Sequence, residues 1–192
     1  LNGLNELADS ETREEVLHLF QVRGSEWYGG EEVSQLEHAL QAALAAERES
    51  SSPQMIVAAL LHDVGHLLNK LPENATEQGI DDKHEILALK WLNKRFGPGV
   101  SQPVSLHVAA KRYLCAVDAG YASQLSPNSQ KSLQLQGGPM SSDEVTEFES
   151  RPFYTDAVRL RHWDDRAKVV AMITPPLEHF AEYIGSDCEP AT

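Results

Sequence analysis

His62 and Asp63 lie side by side in the run AALLHDVGHLL. An imidazole and a carboxylate in so apolar a stretch are expensive to bury unless something neutralises them. A metal ion would do so. Both side chains bind metals, and the two oxygens of Asp63 can bridge two of them. His38 precedes the pair, His84 and His107 follow it, and Asp164 closes the set. Four imidazoles and two carboxylates spread over helical segments suit a two-metal site of nitrogen and oxygen ligands better than a structural zinc. Each residue is ambiguous alone; the order His, His-Asp, His, His, Asp carries the inference.

Three cations are spaced from these ligands by about one helical turn. His66 follows His62 by four residues, Lys111 follows His107 by four, and Arg161 precedes Asp164 by three. Residues so spaced share a helix face, so each cation can be launched toward the metal site. That would make a local positive pocket for an anion. On spacing alone, Lys111 and Arg161 read equally well as solvated surface charges. His18, His162 and His179 have no such support and read as surface or structural residues.

The elements that must position these side chains read as helices throughout. A first helix is expected from about Ser10 to Phe20, capped by Ser10 or Thr12. VRGSEWYGGEE is a glycine-bearing loop. VSQLEHALQAALAAERE has apolar residues at Val33, Leu36, Leu40, Ala43 and Leu44, which is helical spacing. Pro53 starts a helix carrying IVAALLHDVGHLLNKL, and residues 72–82 form a polar loop. HEILALKWLNKRFG, VSQPVSLHVAAKRYLCAVD, LSPNSQKSLQLQ, FYTDAVRLRHWDDRAK and PPLEHFAEYIG read as further helices. QGGPM is a turn by its Gly-Gly-Pro content and carries no chemistry; the segment after it is one more helix. The expected architecture is all-α: one helical domain over residues 1–192, with about seven to nine helices and no internal repeat.

Composition narrows the partners. A net charge of −13 on 192 residues repels polyanions, so nucleic acid and anionic membranes are poor partners. No apolar run approaches the ~18 residues of a membrane span. The opening LNGLNELADSETREE is too polar for a secretory signal. Cys115 and Cys188 lie far apart and outside any CxxC spacing, as expected of a cytoplasmic protein in a reducing compartment.

QLEHALQAA, AALLHDVGH, HVAAKRYL, QGGPM and the Trp-Asp at 163–164 resemble the organophosphonate-cleaving branch of the HD-domain mixed-valent diiron oxygenases, the PhnZ/TmpB type. The resemblance covers roughly residues 24 to 180. It implies that His38, His62, Asp63 and Asp164 hold one iron, and that Asp63 bridges to a second iron held by His84 and His107. It implies an Fe(II)/Fe(III) pair with O2 as cosubstrate, and a small-molecule phosphonate substrate supplied by an upstream hydroxylase. Tyr28 falls where the family has a tyrosine that ligates the second iron before substrate arrives. Glu31 falls where an acid faces the substrate amine. His66, Lys111, Ser129 and Arg161 fall where phosphonate oxygens are gripped. Trp27, beside Tyr28, is where an aromatic face could meet a trimethylammonium group. The implied reaction cleaves the carbon–phosphorus bond of 1-hydroxy-2-aminoethylphosphonate or its N-trimethyl analogue, giving phosphate with glycine or glycine betaine. The alternative is a metal-dependent HD phosphohydrolase acting on a phosphomonoester or nucleotide, which needs neither oxygen nor Tyr28 and Glu31.

Overall fold

A computed structural model describes residues 2–28, 30–68, 84–185 and 188, with backbone only for residues 2–8. Among the described residues there are ten α-helices, and the one β-bridge joins Trp27 to Ser34. The helices are α1 (Asn2–Arg23), α2 (Gln35–Arg48), α3 (Pro53–Leu61), α4 (Val64–Leu68), α5 (His84–Leu92), α6 (Pro98–Val117), α7 (Pro127–Leu135), α8 (Ser142–Glu149), α9 (Tyr154–Arg166) and α10 (Leu177–Ala181). The all-α expectation holds. No described helix is long and apolar enough to cross a membrane.

The helix starts follow ordinary capping chemistry. Ser34 caps α2 by accepting from the Glu37 amide, while the Glu37 side chain accepts from the Ser34 amide. Val33, read from spacing as part of α2, thus lies outside it. Ser52 with Pro53 starts α3, and Ser141 with Glu144 repeats the reciprocal cap at α8. Ser10 and Thr12 do not cap α1, because that helix already runs from Asn2. The polar loop expected at 72–82 lies outside the described residues.

The central bundle forms where α6 packs along α9, α2 against α3, and α3 and α5 against α6. Its floor is apolar: Leu60, Leu61, Leu92, Leu160, Trp163 and Phe180 are fully buried in one cluster. Burying each such side chain contributes roughly 1.5–3 kcal/mol. This floor fixes the helices whose polar residues meet above it.

One correction matters for chemistry. The His-Asp run is not a continuous helix: α3 stops at Leu61, His62 and Asp63 form a turn, and α4 begins at Val64. This break divides that run between two of the ten described helices. It also means that His62 and His66 do not share one helix face. The break lets α4 approach α5 closely. A Cβ on Gly65 would sit 2.0 Å from the His84 carbonyl oxygen, which is rigid backbone at the start of α5. Gly65→Ala must push α4 and α5 apart, at a cost of ~1–3 kcal/mol. The expected result is a lower melting temperature by calorimetry together with a weakened metal set at His84. An unchanged melting temperature and metal content would show that the contact is not tight.

Candidate metal centre

Five elements each deliver one or two candidate ligands to a common point: α2 gives His38, the α3–α4 turn His62 and Asp63, α5 His84, α6 His107 and α9 Asp164. All six are buried. They form two sets that share Asp63. The ligand atoms of His38, His62, Asp63 and Asp164 lie within 4.8 Å of one another, as do those of Asp63, His84 and His107.

The two oxygens of Asp63 face different sets. Oδ2 lies 3.5 Å from His38 Nε2 and 3.4 Å from His62 Nε2. Oδ1 lies 3.4 Å from both His84 Nε2 and His107 Nε2. Asp164 Oδ1 completes the first set, 3.4 Å from His38 Nε2. Ligands ~2.1 Å from one ion and at right angles to each other lie ~3.0 Å apart, so these spacings suit two shared ions.

The protonation pattern argues for cations in the same places. His38 Nδ1–H donates to the Ala167 carbonyl, His62 Nδ1–H to Ala59 and His107 Nδ1–H to Val104, at 2.8, 2.8 and 2.6 Å. A carbonyl only accepts, so the proton of each neutral ring sits on Nδ1 and Nε2 offers a lone pair. Yet His38 Nε2 and His62 Nε2 are 3.0 Å apart, and those of His84 and His107 are 3.3 Å apart. Lone pairs facing at that distance repel unless a proton or metal ion lies between them. Asp63 Oδ2 and Asp164 Oδ1 are also buried without a hydrogen-bond partner among the described residues. An orphaned buried acceptor costs ~1–3 kcal/mol, more when charged. Metal ligation removes both penalties at once.

Titration behaviour follows from this crowding. Burial works against charge on His38, but the carboxylates of Asp164 and Asp63 outweigh it and push its pKa up to about 9. A metal ion would have to displace that proton, so its binding is expected to tighten as pH rises. Burial would raise Asp63, but the imidazoles of His62, His107 and His38 hold it well below the usual carboxylate range. Asp164 is likewise held low against burial, mainly by Arg161.

A wall of cations flanks the two sets. Lys111 is 3% exposed and donates to Ser132 Oγ at 2.7 Å. Arg161 Nη1 pairs with Asp164 Oδ2 at 2.6 Å, Nη2 pairs with Asp165, and Nε donates to Tyr121 Oη at 3.0 Å. Tyr121 Oη donates in turn to Asp165. Arg161 thus holds Asp164 in place from one side while Asp165 and Tyr121 hold Arg161 from the other. Tyr28 stacks on the His38 ring, with centroids 3.8 Å apart. Its hydroxyl is held well above the ordinary range by burial and by the charges of Asp164 and Asp63.

No protein-family model matches the chain. Two named proteins do. Hydroxymethylphosphonate dioxygenase of Gimesia maris is 44% identical over 175 residues, 91% of this chain and 87% of that one. The glycine-betaine-forming [1-hydroxy-2-(trimethylamino)ethyl]phosphonate dioxygenase of Leisingera caerulea is 40% identical over 166 residues, 86% of this chain and 85% of that one. The chain belongs to the phosphonate dioxygenases. Uncharacterized protein L432 of Acanthamoeba polyphaga mimivirus, 36% identical over 168 residues, extends the likeness to a virus.

For a phosphonate dioxygenase, the sequence-derived residues gather well but not completely. The six candidate ligands, Tyr28, Lys111 and Arg161 lie as described. His66 reaches the rim, 3.9 Å from Asp63 Oδ1 and stacked on His84 with centroids 4.0 Å apart. Ser129 accepts from Lys168 Nζ at 3.1 Å, and Glu31 Oε1 accepts from Ser126 Oγ at 2.5 Å. Trp27 departs from the expectation. It is 59% exposed, because side chains alternate faces in the extended Trp27–Tyr28 segment and Tyr28 takes the inward position. Sequence reading missed Tyr121, Asp165, Ser132 and Lys168. Asp165 and Lys168 stand one and four residues beyond Asp164, a spacing that could have flagged them; Tyr121 and Ser132 carry no such signal.

QGGPM is a turn, as expected, but one that wraps a side chain. Gly137 and Gly138 have φ of +100 and +72, and the Gly138 carbonyl accepts from Arg112 Nε at 2.8 Å. Cys115 and Cys188 are both free thiols. His179 pairs with Glu47 at the surface, and His18 and His162 are exposed, as their lack of ligand spacing implied.

Proposed function

We propose that this protein uses O2 to cleave the carbon–phosphorus bond of a 1-hydroxyalkylphosphonate, giving phosphate and a carboxylic acid. The observation that carries the reading is the division of Asp63, one oxygen facing each ligand set, beside a buried cationic wall. The two named relatives support it, since the substrates in their names share a phosphonate with hydroxyl on the adjacent carbon.

His38, His62, Asp63 and Asp164 would hold one iron, and Asp63, His84 and His107 the other. Once bound, the mixed-valent pair supplies the one-electron chemistry that turns O2 into an oxidant. The protein's own residues do the rest. Lys111 would receive the phosphonate dianion through charge-assisted hydrogen bonds, with Ser129 and His66 as further donors. Arg161 adds positive charge while fixing Asp164. Tyr28 closes the mouth over His38, and its hydroxyl keeps its proton, so it serves as a donor until substrate replaces it. The apolar floor of Leu60, Leu61 and Trp163 keeps bulk water from the reacting carbon. Holding the C1–H bond in one orientation is the positional part of catalysis.

The deciding experiment is phosphate release by iron-loaded protein with and without oxygen. Oxygen-dependent phosphate from a 1-hydroxyphosphonate is the expected result. Oxygen-independent phosphate from a phosphomonoester, with none from phosphonates, would instead make this an HD phosphohydrolase.

A further inference from the structure

The family resemblance sets Glu31 against a substrate amine, but a cation of the protein already sits beside it. Lys168 Nζ lies 3.8 Å from Glu31 Oε1, 3.1 Å from Ser129 Oγ and 5.7 Å from the centroid of the Tyr28 ring. A carboxylate, a hydroxyl and an aromatic face are the surroundings that recognise an ammonium group. The Lys168 side chain is 12% exposed, so it sits within the protein and does not sweep through solvent.

The segment carrying this lysine is fixed at both ends. On one side, the Ala167 carbonyl accepts from the metal-ligand candidate His38. On the other, the buried Gln41 side chain makes two hydrogen bonds to the backbone of Val169. Its Nε2 donates to the Val169 carbonyl and its Oε1 accepts from the Val169 amide, both at 2.9 Å. Residues 167 to 169 are therefore clamped to α2 by His38 and Gln41. Lys168 is delivered to Glu31 by preorganised backbone, without a loop having to order around it.

We propose that Lys168 supplies the cation that Glu31 faces, and that the enzyme is therefore selective for 1-hydroxyphosphonates without a cationic group of their own. This rests on the phosphonate dioxygenase reading above. An ammonium or trimethylammonium tail would have to share Glu31 with Lys168, or displace it from Glu31, Ser129 and Tyr28 together. Placing like charges side by side costs several powers of e in affinity, on the order of 100-fold. An uncharged tail meets no such penalty. The reaction balances for any tail R: R–CH(OH)–PO3H2 plus O2 gives R–COOH plus H3PO4. The C1–H and C–P bonds break, carbon and phosphorus each gain one oxygen atom from O2, and the hydrogens leave on the acid products. No other reductant is needed.

The test compares kcat/KM on hydroxymethylphosphonate, 2-amino-1-hydroxyethylphosphonate and its N-trimethyl analogue, for the iron-loaded parent, Lys168→Met and Lys168→Arg. The parent is expected to prefer hydroxymethylphosphonate by at least about tenfold. Lys168→Met should shift the ratio toward the two cationic substrates by on the order of 100-fold, whereas Lys168→Arg, which keeps the charge, should retain the parent's order. A parent that prefers a cationic substrate overturns the inference. So does an equal loss on all three substrates in Lys168→Met, which would make Lys168 a grip on the phosphonate. Absence of oxygen-dependent phosphate from all three in the parent would overturn the dioxygenase reading itself, and the inference with it.

Discussion

Asp63→Ala is expected to lose both ions of the centre at once, and with them all oxygen-dependent phosphate release. Among the described residues no other candidate ligand serves both sets: His38, His62 and Asp164 gather on the Oδ2 side, and His84 and His107 around Oδ1. Even an outer hydrogen-bond partner of a metal ligand is typically worth ~10–100-fold in metal affinity. A ligand common to two ions is worth more than that at each. Removing Asp63 also takes away the negative charge that offsets two dications or more in a dry site. Iron measured after anaerobic reconstitution should fall from about two ions per chain toward none. Asp63→Asn refines the test. Its single oxygen can serve one set, and its amide N–H groups repel an ion in the other, so about one ion should remain at most. Circular dichroism of each variant controls for unfolding. Two ions retained in Asp63→Ala would mean that the two sets do not share this residue.

The legibility of this centre in the sequence was uneven, and the reasons are physical. Metal ligands are few in kind, and burying them in apolar helices is costly, so HD inside AALLHDVGHLL stands out. The helices were readable because their apolar periodicity and their Ser and Pro starts are local signals. The break between Leu61 and Val64 was not. Nothing in the run marks it except Gly65, whose reason is a backbone approach from α5, more than fifteen residues on. Lys111 and Arg161 were visible as one-turn neighbours of ligands, but their burial was not, because burial depends on α6 meeting α9. Tyr121 was invisible for the same reason: it matters only through Arg161 and Asp165, which reach it across the bundle. Trp27 shows a different limit. Residue type marked two adjacent aromatics as possible faces for a cation, and backbone alternation decided that Tyr28 turns inward while Trp27 stays largely exposed.

Lys111→Met is expected to produce a protein that is less active and more stable. Burial is the main reason that the Lys111 pKa is pushed down to about 7, with Arg161 and Lys168 adding to it. Below that pH the side chain is an ammonium ready for a phosphonate dianion; above it, the free enzyme loses that charge. The value of kcat/KM, which reports the free enzyme, should therefore decline as pH rises through about 7. A bound dianion favours the ammonium, so the decline in kcat should come at higher pH. A charge-assisted hydrogen bond is worth ~1.5–3 kcal/mol, so the variant should lose ~10–150-fold in kcat/KM at pH 6.5, chiefly through KM. It should also lose the alkaline decline that belongs to this group. Stability runs the other way. The folded pKa lies below the ordinary 10.5, so between about 7 and 10.5 the unfolded chain binds more protons than the native one. Stability contributed by this group thus rises with pH across that window, and below about 7 the full cost of burying its charge is present. Methionine has no charge to bury, so Lys111→Met should melt higher than the parent at pH 6, with the difference shrinking as pH approaches 10. Iron content should be unchanged in the variant, since Lys111 is not a ligand. A parent-like KM, or a lower melting temperature at pH 6, would show that Lys111 serves the fold and not the substrate.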